Sequence, residues 1–431
     1  LSRKVFREEA LIRRSACAVA LVIFTLSGVC RAEKPSDIPV SADTPVSSDT
    51  PVSADTGRYV IKLINVDPGG ELFMAFGHIA VIVEDKHTGA EDVYNFGTFD
   101  FDDPGLRFRY ARGYLNYWLS VVPLPLMLHF YHSLGRGVTI RTLNFTPKQA
   151  EEVARRLEIN ARPENATYAY RHYIDNCCTR IRDLLDDMLN GAISEKYNQA
   201  PTGRSYRYWT IHQLIGMPVM RTIILLILGG DIDKPVTRWN EEFLPEVLAE
   251  DLDSLTVGPN HIPVIRNKER LFQSEKPNDA LSADEIIPFV VLFSLLIIGF
   301  GLPLALPKKK WTARFAGLGL VVWGLLAGLF GVLLIFFWTY TVHYDTHRNE
   351  NLLTFLALHL WLVVPGVKLI VKGRLKDKTK RFLVRYFIFA LGLIALDLIL
   401  KIGPFIQHNY QFIAFAAACN LAALFAVKRM D

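Results

Sequence analysis

The residues best suited to chemistry lie in YIDNCCTRIRDLL, positions 173–185, where Cys177 and Cys178 stand together at the expected start of a helix. A thiol at a helix N-terminus faces free backbone N–H groups and the positive end of the macrodipole, and both favour the thiolate as a nucleophile. Adjacent cysteines bridge only through a strained ring, and an exported domain built on disulfides would carry spaced pairs. Zinc would need further Cys or His at ligand spacing, and His172 is the only near neighbour. Two readings are left for the pair: small buried side chains, or a reactive thiol. The second is the stronger.

A nucleophilic thiol usually needs an imidazole. Seven histidines lie between 57 and 275: His78, His87, His129, His132, His172, His212 and His261. His78 stands apart because it heads an otherwise apolar strand, directly after Gly77, where its ring can emerge from the sheet edge. A lone histidine is more often structural, so its position alone does not assign it.

The elements that must hold these groups read as α+β. Strands are predicted at 59–66, 78–84, 92–96 and 137–145, each short, β-branched and bounded by Gly, Pro or Asp. Thr146-Pro147-Lys148-Gln149 has the form of a capping box and opens a helix to about 160. YAYRHYI (168–174) reads as a further strand leading into the Cys177 helix. That helix places Ile181, Leu184, Leu185 and Met188 on one face, with Gly191 just past its end.

The rest of the 431 residues divides clearly. Residues 1–32 have a basic start and an apolar run, ACAVALVIFTLSGV. They form either a secretory signal cleaved after Ala32 or an uncleaved anchor; a lipoprotein box ending at Cys30 is disfavoured by Val29. Residues 33–56 contain PVSADT, PVSSDT, PVSADT, a linker too polar to bury a core. Residues 57–275 have the mixed composition of a globular domain. Residues 285–427 hold five apolar runs, at 285–306, 315–339, 352–371, 382–402 and 410–427, each near the length needed to cross a bilayer. The net charge of +5 is concentrated between and after these runs, at Lys308–Lys310, at Lys372–Arg381 and at Lys428–Arg429. That is the positive-inside pattern. It argues against a nucleic-acid partner and places the 57–275 domain outside the cytoplasm, in agreement with the export signal.

AFGHIAVIVED, VYNFGTFDF, ARGYLNYWL, the GRGV–LNFTPKQ stretch and YIDNCCTRIRDLL, in that order, resemble the periplasmic domain of Lnb-type lipoprotein N-acyltransferases. The resemblance runs from about 57 to FLPEVL at 243–248, with a weaker echo in HYDTHRNENLL at 343–353. It implies a papain-like thiol fold in permuted order, similar to lecithin:retinol acyltransferase, followed by an all-α bundle of about five transmembrane helices. By this likeness His78 matches the general base and Cys177 the nucleophile, while Cys178 is packing. Asn95 is the expected third member, with Glu84 and Asp100 behind it.

The activity so implied moves an acyl chain from a membrane phospholipid, through a Cys177 thioester, to the α-amine of a diacylated lipoprotein. It takes place at a bacterial inner membrane, with no metal or cofactor. Asn176, Thr179, Arg180, Arg112, Tyr173, His343 and Asn351 are the expected substrate-binding residues. Arg112, Arg136 and Arg180 are candidates for headgroup phosphates, although salt-bridged roles compete for each. His343, His347 and Asn351 lie at the outer mouth of the membrane part. Residues 219–230 form either a core helix or a surface dipping into lipid. Asp397 and His359 lie within spans, where interhelical hydrogen bonding competes with function. The rival activities are a membrane-anchored cysteine hydrolase acting on lipid esters or wall peptides, and a non-enzymatic binding or sensor module.

Overall fold

In the computed structural model of the chain, residues 57–100, 105–275 and 283–430 are described. The expected signal segment at 1–32 and the repeat linker at 33–56 lie outside the described residues. The first part is built on strands β1 (Tyr59–Val66), β2 (His78–Asp85), β3 (Ala90–Thr98), β4 (Asn116–Pro123), β5 (Val138–Leu143) and β6 (Thr167–Ala169). With the strand Ile265–Phe272 they form one seven-stranded sheet, in the order Ile265–Phe272, β5, β1, β2, β3, β4, β6. Every neighbouring pair is antiparallel.

Strand β2 reads as a continuous apolar run because both of its faces are covered. Ile79, Val81 and Val83 join Ile61 and Leu63 in one core, and Ala80 and Ile82 join Ile64 and Val66 in another. Four helices matter for the site: α1 (Leu106–Arg112), α2 (Pro147–Asn160), α3 (Cys177–Met188) and α4 (Pro218–Ile227). The predicted capping box opens α2, with the Thr146 and Gln149 side chains each bonded to the other's backbone N–H. In α3, Ile181 and Leu185 are fully buried in the core that contains Ile79 and Val81. Burying each is worth about 2 kcal/mol, and together they fix the helix against the strand that begins at His78.

One strand assignment is corrected. Of 168–174, only Tyr168 and Ala169 fall within β6, which pairs with β4. The chain then turns, closed by reciprocal backbone bonds between Arg171 and Asp175 of 2.9 Å. The alternating rings that suggested a strand serve packing instead: Tyr170 stacks on Tyr117 at 4.3 Å, and His172 meets Phe76 edge-on at 4.3 Å.

Five apolar helical segments follow, Glu285–Ala305, Lys310–Thr339, Glu350–Lys372, Asp377–Leu400 and Tyr410–Arg429, each long and apolar enough to cross a membrane. The third departs from the expected regular helix. Glu350–Leu353 and Ala357–Leu362 are 3-10 turns, and α-helix begins only at Val363. The cause is a groove along the second span: a Cβ on Gly328 would lie 2.6 Å from Leu360 N, and one on Gly331 would lie 2.3 Å from Ala357 N. Small residues let the backbones approach this closely.

His359 and Trp323 both bond to the Asn420 side chain, at 3.1 and 3.2 Å, and Asp397 accepts from Thr354 at 3.1 Å. Interhelical bonding therefore accounts for His359, whereas Asp397 uses one oxygen in this way and its Oδ1 has no hydrogen-bond partner among the described residues.

Helix α4 lies across one end of the bundle. At its start, Val219 N–H donates to Glu285 at the head of the first span. At its end, the Leu226 carbonyl accepts from Asn349 and Asn351, and the Leu228 carbonyl accepts from Gln407. Arg207, buried against Asp233, bonds the carbonyls of Leu225, Leu228 and Gly229. Leu225 and Leu226 join the membrane core, while Leu228 joins a cluster with Tyr173, Trp209 and Phe243. Both halves of the chain thus share this helix, and the sheet domain is seated on that end of the bundle.

Candidate active site

His78 is the first residue of β2, reached through Gly77 at φ +74°, a left-handed conformation that favours glycine. Asn95 lies in β3 just before an irregularity in the β3–β4 ladder between Asn95 and Thr98. Bulges of this kind re-aim side chains, and here the Asn95 amide meets the imidazole, with His78 Nε2 2.9 Å from Asn95 Oδ1. The same oxygen accepts the Gly97 backbone N–H at 2.8 Å. That second bond fixes the amide orientation, so His78 Nε2 must carry the proton that it donates to Asn95. Nδ1 is left as the acceptor, and it faces Cys177 Sγ at 3.5 Å.

Cys177 opens α3. Asn176 is its N-cap, accepting from the N–H groups of Cys178 and Thr179, while the Thr179 hydroxyl accepts from Asn176 N. Such a cap contributes about 1 kcal/mol. The backbone N–H groups of Ile79, Cys178 and Cys177 itself favour negative charge on the sulfur. Burial outweighs them, pushing the thiol up to about 11. Burial, followed by the charge of Arg136, pushes His78 down to about 4 against the opposing Asn95 bond. This corrects the expectation of a lowered thiol pKa. At neutral pH the pair is a thiol beside an uncharged imidazole, poised for proton transfer rather than held as a resting ion pair. Cys178 is fully buried in the core.

Several expected binding residues have other roles. Both Asn176 Nδ2 bonds go to the carbonyls of His172 and Phe243, so this residue and Thr179 shape the helix start and have no polar atom to spare. Tyr173 is buried with its hydroxyl 2.7 Å from Thr210 Oγ1. Asn351 is wholly buried, bonded to Leu226 O and Asn409, and holds α4 rather than an open mouth. Arg180 pairs with Asp175 at 2.8 Å over the Tyr168 ring. His343 Nε2 reaches Tyr110 O at 2.7 Å, across the seam between the two halves, whereas His347 Nε2 reaches Thr341 O at 3.3 Å within its own loop. Glu84 is held by Lys62 at 2.7 Å, and Asp100 lies beyond the end of β3. Gly97 was not singled out in the sequence. Its only signal was a glycine two residues after Asn95, at the end of a strand.

An unpaired cysteine at a helix start, a histidine at a strand start and an amide behind it, on a sheet domain carried by five apolar spans, define a membrane-bound cysteine–histidine protein. Residues 54–213 match the family model of the Lnb N-terminal periplasmic domain, and residues 280–427 match that of the Lnb transmembrane domain. The chain belongs to the Lnb family. No curated protein and no solved structure matches it.

Proposed function

We propose that the protein is a lipoprotein N-acyltransferase, moving a fatty acyl chain from a membrane phospholipid to the α-amine of the S-diacylglyceryl cysteine of a bacterial lipoprotein. The observation that carries this reading is the alignment of Cys177, His78 and Asn95, with contacts of 3.5 and 2.9 Å, in a domain seated on membrane spans. His78 Nδ1 takes the thiol proton as sulfur attacks an ester carbonyl of the donor. The N–H groups of Ile79 and Cys177 supply donors for the oxyanion. The C–O bond breaks, the imidazolium returns its proton to the lyso-lipid alkoxide, and the acyl group stays on Cys177 as a thioester. The lipoprotein amine then attacks the thioester, the C–S bond breaks, and the amine's surplus proton passes through His78 to the leaving thiolate. Asn95 holds the imidazole tautomer through both steps.

The final amide is more stable than the thioester, so transfer runs forward. Basic clusters follow the first, third and fifth spans, at the end of the bundle away from the sheet domain. By the positive-inside rule the domain faces the periplasm of an inner-membrane protein.

The test uses purified full-length protein, a phospholipid with labelled acyl chains and a diacylated lipopeptide. Amide-linked label on the peptide, a hydroxylamine-sensitive label on Cys177, and loss of both in Cys177→Ala but not in Cys178→Ala are expected. Free labelled fatty acid as the sole product would make the protein a hydrolase. Unchanged transfer in Cys177→Ala would overturn the mechanism.

A further inference from the structure

We infer that Arg112 receives a phosphate group carried by the acyl donor, so that the enzyme takes its chain from a glycerophospholipid and discriminates against lipids that lack the phosphate. The inference rests on the transferase reading above and deepens it.

Three arginines in the sheet domain were candidates for anion binding, and the structure separates them. Arg180 is neutralised by Asp175 at 2.8 Å. Arg136 is buried and donates to the Asp67 carbonyl at 2.8 Å. Arg112 has neither kind of partner among the described residues: no carboxylate pairs with it, and its Nε is buried with no acceptor. Its guanidinium is instead surrounded by rings, 5.8 Å from the Phe108 centroid, 5.1 Å from Tyr114 and 4.9 Å from Tyr340. Aromatic faces hold a guanidinium in place without using its N–H donors. The guanidinium is therefore positioned, with its Nε–H donor left open among the described residues. A buried donor without an acceptor is costly, and an anionic oxygen arriving with the substrate removes that cost.

Depth in the membrane identifies the anion. Tyr340 directly follows the second span, and Trp338 and Tyr340 are 43% and 54% exposed. Exposed Trp and Tyr at the end of a span mark the headgroup layer. The loop leaving that span is tied to α1, with Val342 N–H donating to the Arg112 carbonyl at 2.9 Å. The anions concentrated in that layer are lipid phosphates, which a guanidinium fork fits in bidentate geometry.

The reacting sulfur belongs to the same side of the domain. Tyr117, five residues after Arg112, stacks on Tyr170 at 4.3 Å, and Tyr117, Tyr170 and Cys177 all pack against the core that contains Ile79 and Val81. A lipid whose phosphate rests on Arg112 therefore directs its glycerol esters toward Cys177.

The experiment compares phosphatidylethanolamine with diacylglycerol of the same chains as donors to a diacylated lipopeptide, using full-length wild type, Arg112→Gln and Arg112→Lys. Wild type should prefer the phospholipid at least about tenfold in kcat/KM. Arg112→Gln should raise the phospholipid KM about tenfold or more and lower transfer from diacylglycerol far less, erasing the preference, with Arg112→Lys between the two. The magnitude follows from loss of a charge-assisted bidentate contact. Equal loss with both donors would make Arg112 a structural clamp and overturn the inference. So would a wild type indifferent to the phosphate, a result that needs no variant. Inorganic phosphate at about 10 mM should not raise the phospholipid KM; Arg112-dependent competition would assign the site to free phosphate and sink the lipid proposal. Failure of wild type to transfer from either donor would instead remove the transferase reading itself.

Discussion

A Cβ on Gly97 would stand 2.5 Å from Cε1 of His78, so the imidazole fills the space that any other residue type would need at position 97. Gly97 also donates its N–H to Asn95 Oδ1 at 2.8 Å, so one residue supports both the place and the tautomer of the base. In Gly97→Ala the ring must shift, and misplacement of about 1 Å costs on the order of 100-fold in rate. Transfer should drop by that amount, while the melting temperature moves by only a few degrees. Acyl-transfer rates beside a thermal melt decide the matter, and an unchanged rate would show that the ring has room to spare.

The neutral thiol–imidazole pair has a distinct pH signature. Burial holds Cys177 up near 11 and His78 down near 4, so between these values the reactive thiolate fraction rises tenfold per pH unit. Iodoacetamide should therefore alkylate Cys177 about ten times faster for each unit between about pH 6 and pH 9, with no plateau near neutrality. His78→Ala should leave that slope intact while abolishing transfer. A rate that is flat down to about pH 5 in wild type, and sloped only in His78→Ala, would reveal a resting ion pair instead.

Much of this was legible in the chain because it rests on local rules. The capping box at Thr146–Gln149 and the apolar face of α3 follow from spacing, and both stand as expected. The pairing of His78 with Cys177 depends on a sheet that brings together residues 99 apart, and only the resemblance suggested it in advance. The thiol's protonation was misjudged because the helix N-terminus is visible in sequence whereas burial is a property of the assembled core. The roles of Asn351 and Tyr173 escaped for the same reason: an exposed polar residue and one that satisfies a buried carbonyl read alike. The broken third span arises from glycines on the second, a contact between segments rather than a feature of either.

Glu242 offers a test of the scaffold behind the site. Its side chain is wholly buried beside Asp251, whose carboxylate accepts a hydrogen bond from the protonated Glu242 carboxyl. Burial first, and then the charge of Asp251, hold its carboxyl far above the ordinary range, so it is uncharged at neutral pH. A folded-state pKa above the unfolded value of 4.5 contributes stability that is complete below pH 4.5 and is lost as the pH rises toward the folded value. Wild type should thus lose stability between about pH 5 and pH 8, by at most ~1.4 kcal/mol per unit from this group. Glu242→Gln, which cannot titrate, should flatten the slope. Melting curves at several pH values compare the two, and parallel slopes would show that Glu242 is ionised in the native state.

The seam between the two halves depends on Gly229. Its N–H donates to the Asp345 carbonyl at 2.8 Å and its carbonyl accepts from Arg207 at 2.9 Å, while a Cβ there would fall 1.7 Å from the His347 carbonyl oxygen. Gly229→Ala must push the loop of residues 340–349 away from the end of α4, an overpacking that costs about 1–3 kcal/mol. Cys177, His78 and Asn95 lie on other elements, so alkylation of the thiol should keep its wild-type rate and pH slope. Transfer should fall, because the site would no longer be held at a fixed height over the lipid. Gly403→Ala is the control, since a Cβ there meets nothing within 4 Å among the described residues, and it should leave both readouts unchanged. If alkylation and transfer fell together in Gly229→Ala, the seam would be part of the catalytic fold itself; if neither fell, the two halves would act without being registered to each other.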